Sequence, residues 1–310
     1  MASWAYEGEA EPTHTSAAPL PSWLMVGGDQ RGVAFSGRGP DGAYAMPTYI
    51  PMQADVELAL QSPYATNLTL DVSGGVYGPE RKPEYRRYYL KAVLSPTVGV
   101  RAGRFLPAYG VNLPDHTTAT RQGLGLGEGA ESYNAEAFWL APRGEVIVDA
   151  VFGQTAAAEL DNQQRVGTLR TDDYVGGTGR AAAYVGSSSS IGLSAMGLRS
   201  FAGGKRDAAG AFAQLGLSEQ AFVLAELDRL WERGTEATWL SMAKVGLELA
   251  PGLIGYIMAE QLGAHDSGRL GAQWQPRPHW EVCLELRAAD ADGFGGLPRD
   301  SIVGLLHHWL

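Results

Sequence analysis

Apolar and polar side chains alternate with a period of two residues in segment after segment of this chain. In residues 50–61 one series contains Ile50, Met52, Ala54, Val56, Leu58 and Leu60, and the other contains Gln53, Asp55, Glu57, Ala59 and Gln61. Because successive side chains of a β-strand point to opposite faces, such a segment predicts a strand with one apolar face and one polar face. The chain is therefore predicted to be all-β.

Sixteen segments follow this pattern. They are 22–36, 50–61, 67–77, 85–94, 98–105, 133–141, 145–154, 175–185, 190–200, 208–217, 220–229, 236–249, 253–262, 268–275, 279–288 and 301–310. Most have close to the roughly 9–11 residues with which a tilted strand crosses a bilayer. One of them is ambiguous, since 222–231 also carries Leu224, Leu227 and Leu230 at helical spacing; we interpret it as a strand.

The links between these segments alternate in length. After even-numbered strands the link is short: 62–66, 95–97, 142–144, 186–189, 218–219, 250–252 and 276–278. After most odd-numbered strands it is longer: 37–49, 78–84, 106–132, 155–174 and 289–300, with only modest loops after residues 200, 229 and 262. This arrangement predicts a transmembrane antiparallel up-and-down β-barrel of about sixteen strands in a bacterial outer membrane, with both termini in the periplasm.

Aromatic residues favour a membrane barrel over a soluble all-β protein. Trp23, Trp139, Trp274 and Trp280 fall near the turn ends of the predicted strands, and Tyr49, Tyr85 and Trp239 fall near the loop ends. Two aromatic girdles at the lipid boundaries have this distribution. A soluble sheet shows its polar face to water and buries its apolar face on a second layer, which fits poorly with only 19% charged residues and no predicted helices.

Composition excludes several classes of protein. No run of 18 apolar residues exists, so a transmembrane helix is excluded. A single Cys excludes a disulfide framework, and the absence of a C-x-x-C-H motif excludes attached c-type haem. The net charge of −10 argues against nucleic acid as a partner.

The N-terminal residues 1–21 differ from the rest of the chain. They are rich in Ala, Pro, Glu and Thr and lack the basic and apolar regions of a signal peptide. We expect residues 1–21 to form a periplasmic extension and residues 22–310 to form the barrel. The partner of the barrel would then be outer-membrane lipid.

If the apolar face meets lipid, the polar face lines the lumen. The predicted pore-lining residues are Asp55, Glu57, Asp71, Arg87, Lys91, Arg101, Glu136, Asp149, Arg180, Lys244, Glu248, Arg269, Glu281, Glu285 and Arg287, and Glu226 and Asp228 lie on the same face. Charges at this density need water or a polar partner. We therefore expect a hydrated or partner-filled interior, not one packed with apolar side chains, and a mild cation preference from the acidic excess.

The longest link, 106–132, follows the fifth strand and is the candidate constriction. It carries Asp115, His116, Arg121, Glu128 and Glu131 among glycines. The whole arrangement resembles the general trimeric porins of enteric bacteria, in which the loop after the fifth strand folds inward and narrows the pore. That resemblance implies a passive channel for small hydrophilic solutes or ions, and a homotrimer. The alternative interpretation of 106–132 is an ordinary external loop that stays outside the barrel.

A second, local resemblance concerns 103–140. The segments Gly103–Gly110, Pro114–Thr117 and Tyr133–Glu136, together with Arg121, resemble the barrel subunits of porin–cytochrome conduits in metal-reducing δ-proteobacteria. The resemblance implies a barrel that sheathes a multihaem cytochrome partner and supplies no redox group itself. This sheath is our alternative to the open channel.

Enzyme chemistry is the weakest hypothesis. Asp115 and His116 could form an acid–base site with Asp55 or Asp71, but sequence gives no proximity. His307 and His308 point to opposite faces of a strand and so cannot chelate one metal together. We expect no catalytic residues, no metal and no cofactor.

Overall fold

The computed structural model describes residues 21–38, 43–77, 82–111, 117–127, 130–153, 174–200, 203–290 and 298–310. These contain sixteen strands and one short helix. The strands are β1 Leu24–Gly37, β2 Thr48–Gln61, β3 Leu68–Tyr77, β4 Lys82–Ser95, β5 Val98–Phe105, β6 Ser132–Ala141, β7 Gly144–Val151, β8 Tyr174–Val185, β9 Ser189–Ser200, β10 Lys205–Gly216, β11 Ala221–Glu232, β12 Thr238–Ala250, β13 Leu253–Leu262, β14 His265–Arg277, β15 Trp280–Ala289 and β16 Asp300–Trp309, and the helix is α1 Ala119–Leu124.

Each strand pairs antiparallel with the strands before and after it in the chain. The first and last strands pair as well, from Gly37 opposite Ser301 to Asp29 opposite Trp309. The sheet therefore closes into a barrel without edges. This confirms the predicted sixteen-strand up-and-down barrel. The predicted extension at 1–21 lies, apart from Pro21, outside the described residues.

The alternation of tight turns with longer links is also present. The Ser95 hydroxyl accepts the Thr97 and Val98 amides in the β4–β5 turn, and Gly252 adopts φ 75° in the turn between β12 and β13. One link is shorter than expected, because β14 begins at His265 and only residues 263–264 separate it from β13. The ambiguous segment 222–231 lies within β11 and is a strand.

Large apolar side chains cover the outer face of the barrel. Val56, Leu193, Ile257, Leu270 and Leu284 are all more than half exposed. Toward the strand ends, exposed aromatic residues follow: Trp23, Trp139, Trp274 and Trp280 by the short turns, and Tyr49, Tyr85 and Trp239 by the longer links. An apolar belt between two aromatic girdles suits a bilayer and would be costly in water. In the part of the chain that the structure describes, no helix is long and apolar enough to span a membrane.

The interior differs from the expectation of a wholly polar lumen. From β7 to β13 the inner wall carries buried apolar side chains, which form two clusters with the link after β5. The first cluster contains Tyr109, Leu124, Leu126, Val151, Tyr174, Met196, Leu198, Ala208, Leu230 and Leu240. The second contains Val111, Ala182, Phe212, Met242 and Met258. The expectation was wrong for this half of the barrel, because the chain itself supplies apolar partners where water was expected.

Candidate functional site

The link between β5 and β6 folds into the barrel. We call its described residues (106–111, 117–127 and 130–131) the inner loop. Tyr109 and Val111 are almost completely buried, and α1 contacts β11, β12 and β13, on the far side of the barrel from β5. The predicted loop residues Asp115, His116 and Glu128 lie outside the described residues.

Four carboxylates of the barrel wall accept hydrogen bonds from the inner loop. Asp149 accepts the Ala108 amide at 3.0 Å, Glu226 the Val111 amide at 3.1 Å, Glu260 the Ala119 amide at 2.8 Å, and Asp228 the Tyr109 hydroxyl at 3.0 Å. All four are buried. A hydrogen bond to a buried carboxylate is stronger than one between neutral groups, so these residues fix the loop to β7, β11 and β13. Burial, reinforced by the nearby Asp228 carboxylate, raises the pKa of Tyr109, so its phenol stays protonated and donates.

Arginines of the wall also bind the inner loop, and in these bonds the wall donates and the oxygens of the loop accept. Arg180 donates to the Gly110 carbonyl at 2.9 Å, Arg269 to the Thr117 carbonyl at 2.9 Å, Arg287 to the Thr117 hydroxyl at 3.0 Å, and Arg206 to the Gly123 carbonyl. These side chains come from β8, β14, β15 and β10. Together with the carboxylates they anchor the loop across the wall from β7 to β15.

Arg121 ties the inner loop to itself. Its guanidinium donates to the carbonyls of Tyr109 and Val111 and lies 3.6 Å from the Glu226 carboxylate. Arg121 is only 4% exposed. It therefore connects α1 to the start of the loop while neutralising a buried acid.

Gly110 sits at the tightest point of this arrangement. Its φ of 55° is in the left-handed region, and a Cβ on it would lie 1.6 Å from a Glu226 carboxylate oxygen. Only glycine has neither the conformational penalty nor the side chain that would clash. The Gly110 amide also donates to the Ser194 hydroxyl of β9 at 2.8 Å.

The loop returns to the wall at Glu131. This carboxylate pairs with Arg86 of β4 at 2.9 Å, and both side chains are buried. Arg86 also stacks over the ring of Tyr77, 4.5 Å from its centroid. Of the five predicted loop residues, Arg121 and Glu131 are thus both placed in ion pairs that hold the loop.

The wall from β16 through β1 to β4 has a different character, and we call it the open wall. Asp29 accepts bonds from Gln53 at 2.7 Å and Arg31 at 3.0 Å and lies 2.9 Å from His307. Beyond it, Tyr77 donates to Asp55 at 2.9 Å, and Arg87 lies 3.5 Å from Glu57.

Exposure separates the two walls. The side chains of Glu57 and Arg87 on the open wall are 32% and 29% exposed. The ion pair of Arg269 with Glu260, behind the inner loop, is 1% and 0% exposed. Ionic groups that keep part of their surface accessible remain hydrated. The Glu57 and Arg87 side chains of the open wall are therefore accessible to water, whereas the ion pair behind the inner loop is not.

The remaining predicted pore-lining residues have three kinds of contact on the inner face. Some form ion pairs: Arg101 with Glu136 at 2.8 Å, Arg180 with Glu145, Arg287 with Glu285, and Glu281 with His307 at 3.8 Å. Two lysines lie near aromatic rings, Lys244 over Tyr256 and Lys91 at 5.8 Å from the Phe138 ring centre, and Glu248 accepts the Gly252 amide. Asp71 is half-buried. Asp149, Arg180, Arg269 and Arg287 are thus anchors of the inner loop rather than groups facing open space.

Several residues of the site were not singled out from the sequence. Glu260 lies in a predicted strand, Arg206 lies in the predicted link before 208–217, and Tyr109 lies in the predicted loop, but none of them stood out by type. The signal for Glu260 was available, since Tyr256, Met258 and Glu260 form the inward series of β13. Nothing in the sequence joined that series to Ala119.

Comparison with known proteins finds the same fold at low sequence identity. No protein-family model and no curated protein matches the chain. Among solved structures, an anion-selective porin from Comamonas acidovorans aligns with TM-score 0.65 and 12% identity, covering 93% of this chain and 99% of that one. OmpF of Salmonella typhi in complex with daunomycin gives 0.66 and 10%, covering 93% and 97%. A trimer form of OmpT from Vibrio cholerae gives 0.66 and 10%, covering 93% and 99%.

These similarities extend over nearly the whole described barrel and agree with its outer surface. The apolar belt and the two aromatic girdles are those of a protein that sits in the bacterial outer membrane. The strand number, the closed antiparallel order and the aligned structures lead to one conclusion: this chain is a barrel with the fold of the bacterial outer-membrane porins.

Proposed function

We propose that this protein is a passive, water-filled channel for small hydrophilic solutes or ions, with both termini in the periplasm. One observation carries the proposal: the inner loop fills the β7–β13 side of the lumen, while the open wall keeps charged groups part-exposed. Water and ions then pass between the loop and the open wall, and the loop sets the width of the passage.

Charges of the open wall set the selectivity in this proposal. Asp29, Asp55, Glu57 and Asp71 supply carboxylates there, and Arg31, Arg87 and Lys91 supply cations, while Arg86 is neutralised by Glu131 of the inner loop. Rings and clusters of charged side chains bias ion passage by their net sign. The excess of acids favours a mild cation preference. The anchoring groups behind the loop contribute less, since they face their partners rather than the passage.

Single-channel recording in a planar bilayer tests the proposal. The folded barrel is expected to give stable ohmic steps. In a KCl gradient, the sign of the reversal potential should indicate a preference for cations. The variant Glu57→Gln should reduce that potential, because Glu57 is part-exposed on the open wall. The matched variant Glu248→Gln, whose carboxylate is occupied by the Gly252 amide at 2.9 Å, should leave it nearly unchanged. A folded barrel that never conducts would refute the channel.

The sheath around a multihaem cytochrome is less well supported. The chain's own inner loop occupies a large part of the lumen, which leaves less room for a protein partner. Purification from a native membrane distinguishes the two functions, since a sheath would retain a partner with haem absorbance and a channel would not.

We also propose that the protein has no enzymatic activity and assembles as a homotrimer. Asp55, one of the two acids considered for a site with Asp115 and His116, accepts the Tyr77 hydroxyl through its carboxylate and so serves the wall. A trimer form is known for one protein of the same fold. Mass measurement of the folded protein in detergent tests the assembly.

A further inference from the structure

Basic side chains gather on the outer face of the barrel where β9, β10 and β11 meet their longer links. Arg206 of β10 points inward to the inner loop, so its neighbours Lys205 and Asp207 face outward. Arg199 lies directly opposite Lys205 in the sheet. We call Arg199, Lys205, Arg229 and Arg233, with Asp207 among them, the outer basic patch.

One carboxylate organises two of these cations. Asp207 lies 2.8 Å from the Lys205 ammonium and also pairs with Arg199. The side chains of Arg199 and Lys205 remain 52% and 51% exposed. Arg199 also donates to the Leu198 carbonyl at 2.7 Å. Both cations are therefore held at one place, and about half of each side chain still faces outward.

Two aromatic residues mark the depth of the patch. Trp231 lies opposite Asp207, and Arg229 stacks over the ring of Trp239 at 4.7 Å. Both Trp side chains are nearly half exposed. Tryptophan prefers the headgroup level of a bilayer, so the cations lie at that level. Arg233 completes the patch and donates to the Gly203 carbonyl at 2.8 Å.

The charge of this surface is opposite to that of the protein. The chain has a net charge of −10, yet among the described strand residues here the cations Arg199, Lys205 and Arg229 lie close to a single carboxylate, Asp207, and Arg233 follows on the link after β11. The single negative charge of Asp207 offsets only part of the repulsion among these cations, and arginine suits phosphate because its donors form a fork. An anion at the headgroup level of a bilayer is a lipid phosphate.

We propose that the outer basic patch binds the phosphate headgroup of a lipid in the leaflet at the loop end of the barrel. This rests on the membrane position in the proposed function but not on conduction. Two lipid classes share the chemistry: glycolipids of the lipid A type, with phosphate monoesters, and glycerophospholipids, with phosphate diesters. The patch fixes one such lipid against the β9–β11 wall.

Native mass spectrometry of the folded barrel in neutral detergent tests this, with lipid A, phosphatidylglycerol and inorganic phosphate as separate probes. The triple variant Arg199→Gln, Lys205→Gln, Arg229→Gln should bind lipid about 100-fold more weakly, at about five-fold for each cation near a headgroup. The control variant Arg143→Gln, Arg277→Gln removes two exposed cations by the short turns and should bind normally.

A second variant keeps the test valid if the triple variant fails to fold. Asp207→Asn removes the negative charge that repels a phosphate but keeps an amide oxygen that accepts from Arg199 and Lys205, and it should tighten lipid binding by about five-fold. The patch is supported if the affinity for either lipid decreases from Asp207→Asn through wild type to the triple variant, and the lipid that behaves in this way identifies the lipid class. Equal affinities of wild type and triple variant, equal losses in the control, or a response to inorganic phosphate alone would overturn it. A barrel that binds lipid but never conducts would refute only the channel.

Discussion

Replacing Arg121 should release the inner loop while leaving the barrel intact. The guanidinium donates to two loop carbonyls and is 3.6 Å from Glu226, whose side chain is 1% exposed. The variant Arg121→Gln removes the only charge of α1 and leaves the Glu226 carboxylate with the Val111 amide as its remaining bond from the loop. The barrel strands lose no bond between themselves.

The free-energy cost expected for Arg121→Gln follows from the burial of its ion pair with Glu226. Removing one partner of a buried ion pair costs about 3–5 kcal/mol, because the other charge is left uncompensated. The lower figure corresponds to about a 100-fold rise in the equilibrium constant for loop opening. Arg87 on the open wall is the matched control, since its pair with Glu57 is about one-third exposed and such pairs contribute about 0–1 kcal/mol.

Hydrogen exchange measures the opening directly. Amides of the inner loop, including those of Val111 and Ala119, should exchange about 100-fold faster in Arg121→Gln, while strand amides keep their protection. Single-channel recording should show larger and noisier steps. Arg87→Gln should leave exchange in the loop unchanged and alter only ion selectivity.

A double variant separates charge from packing. If the uncompensated Glu226 carboxylate causes the opening, Arg121→Gln with Glu226→Gln should recover a large part of the lost protection. Unchanged exchange in Arg121→Gln would refute the reasoning, and so would a double variant that opens as far as the sum of the two single ones.

Three further outcomes are expected. Gly110→Ala should open the loop, because its Cβ would lie 1.6 Å from Glu226, and limited proteolysis of the folded barrel should cut there; resistance equal to wild type would contradict this. Leu240→Ala leaves a cavity under α1, since Leu240 is fully buried, and should destabilise loop docking by about 2–5 kcal/mol, seen as faster loop exchange, whereas Leu270→Ala on the outer face should not. Tyr109→Phe removes the hydroxyl that donates to buried Asp228 and should destabilise loop docking by about 1–3 kcal/mol; unaltered hydrogen exchange in the loop would contradict this.

The fold could be predicted from the sequence because the alternation is a local property. Every strand has a predicted counterpart, and β5 and β13 have the predicted bounds. The start of β14 was missed because His265 and Asp266 look like loop residues, although they pair with Leu262 and Gln261. Strand ends depend on the partner strand as much as on the residue itself.

The contents of the barrel could not be predicted in the same way. Alternation tells which side chains point inward, but not whether they meet water or another part of the chain. Met242 and Met258 lie inward on β12 and β13 and contact the cluster of Val111. The contact between Ala119 and Glu260 joins residues 141 positions apart, and no local pattern contains that information.

The way the wall holds the inner loop has a consequence for how such a channel can change. Most anchors bind main-chain atoms: the amides of Ala108, Val111 and Ala119, and the carbonyls of Gly110, Thr117 and Gly123. Every residue except proline has these atoms. At a position such as Ala108, a new side chain can thus be introduced while the loop keeps its path, whereas Thr117 is also held through its hydroxyl. The wall fixes the shape of the constriction, and the loop sequence is left open to alter what passes.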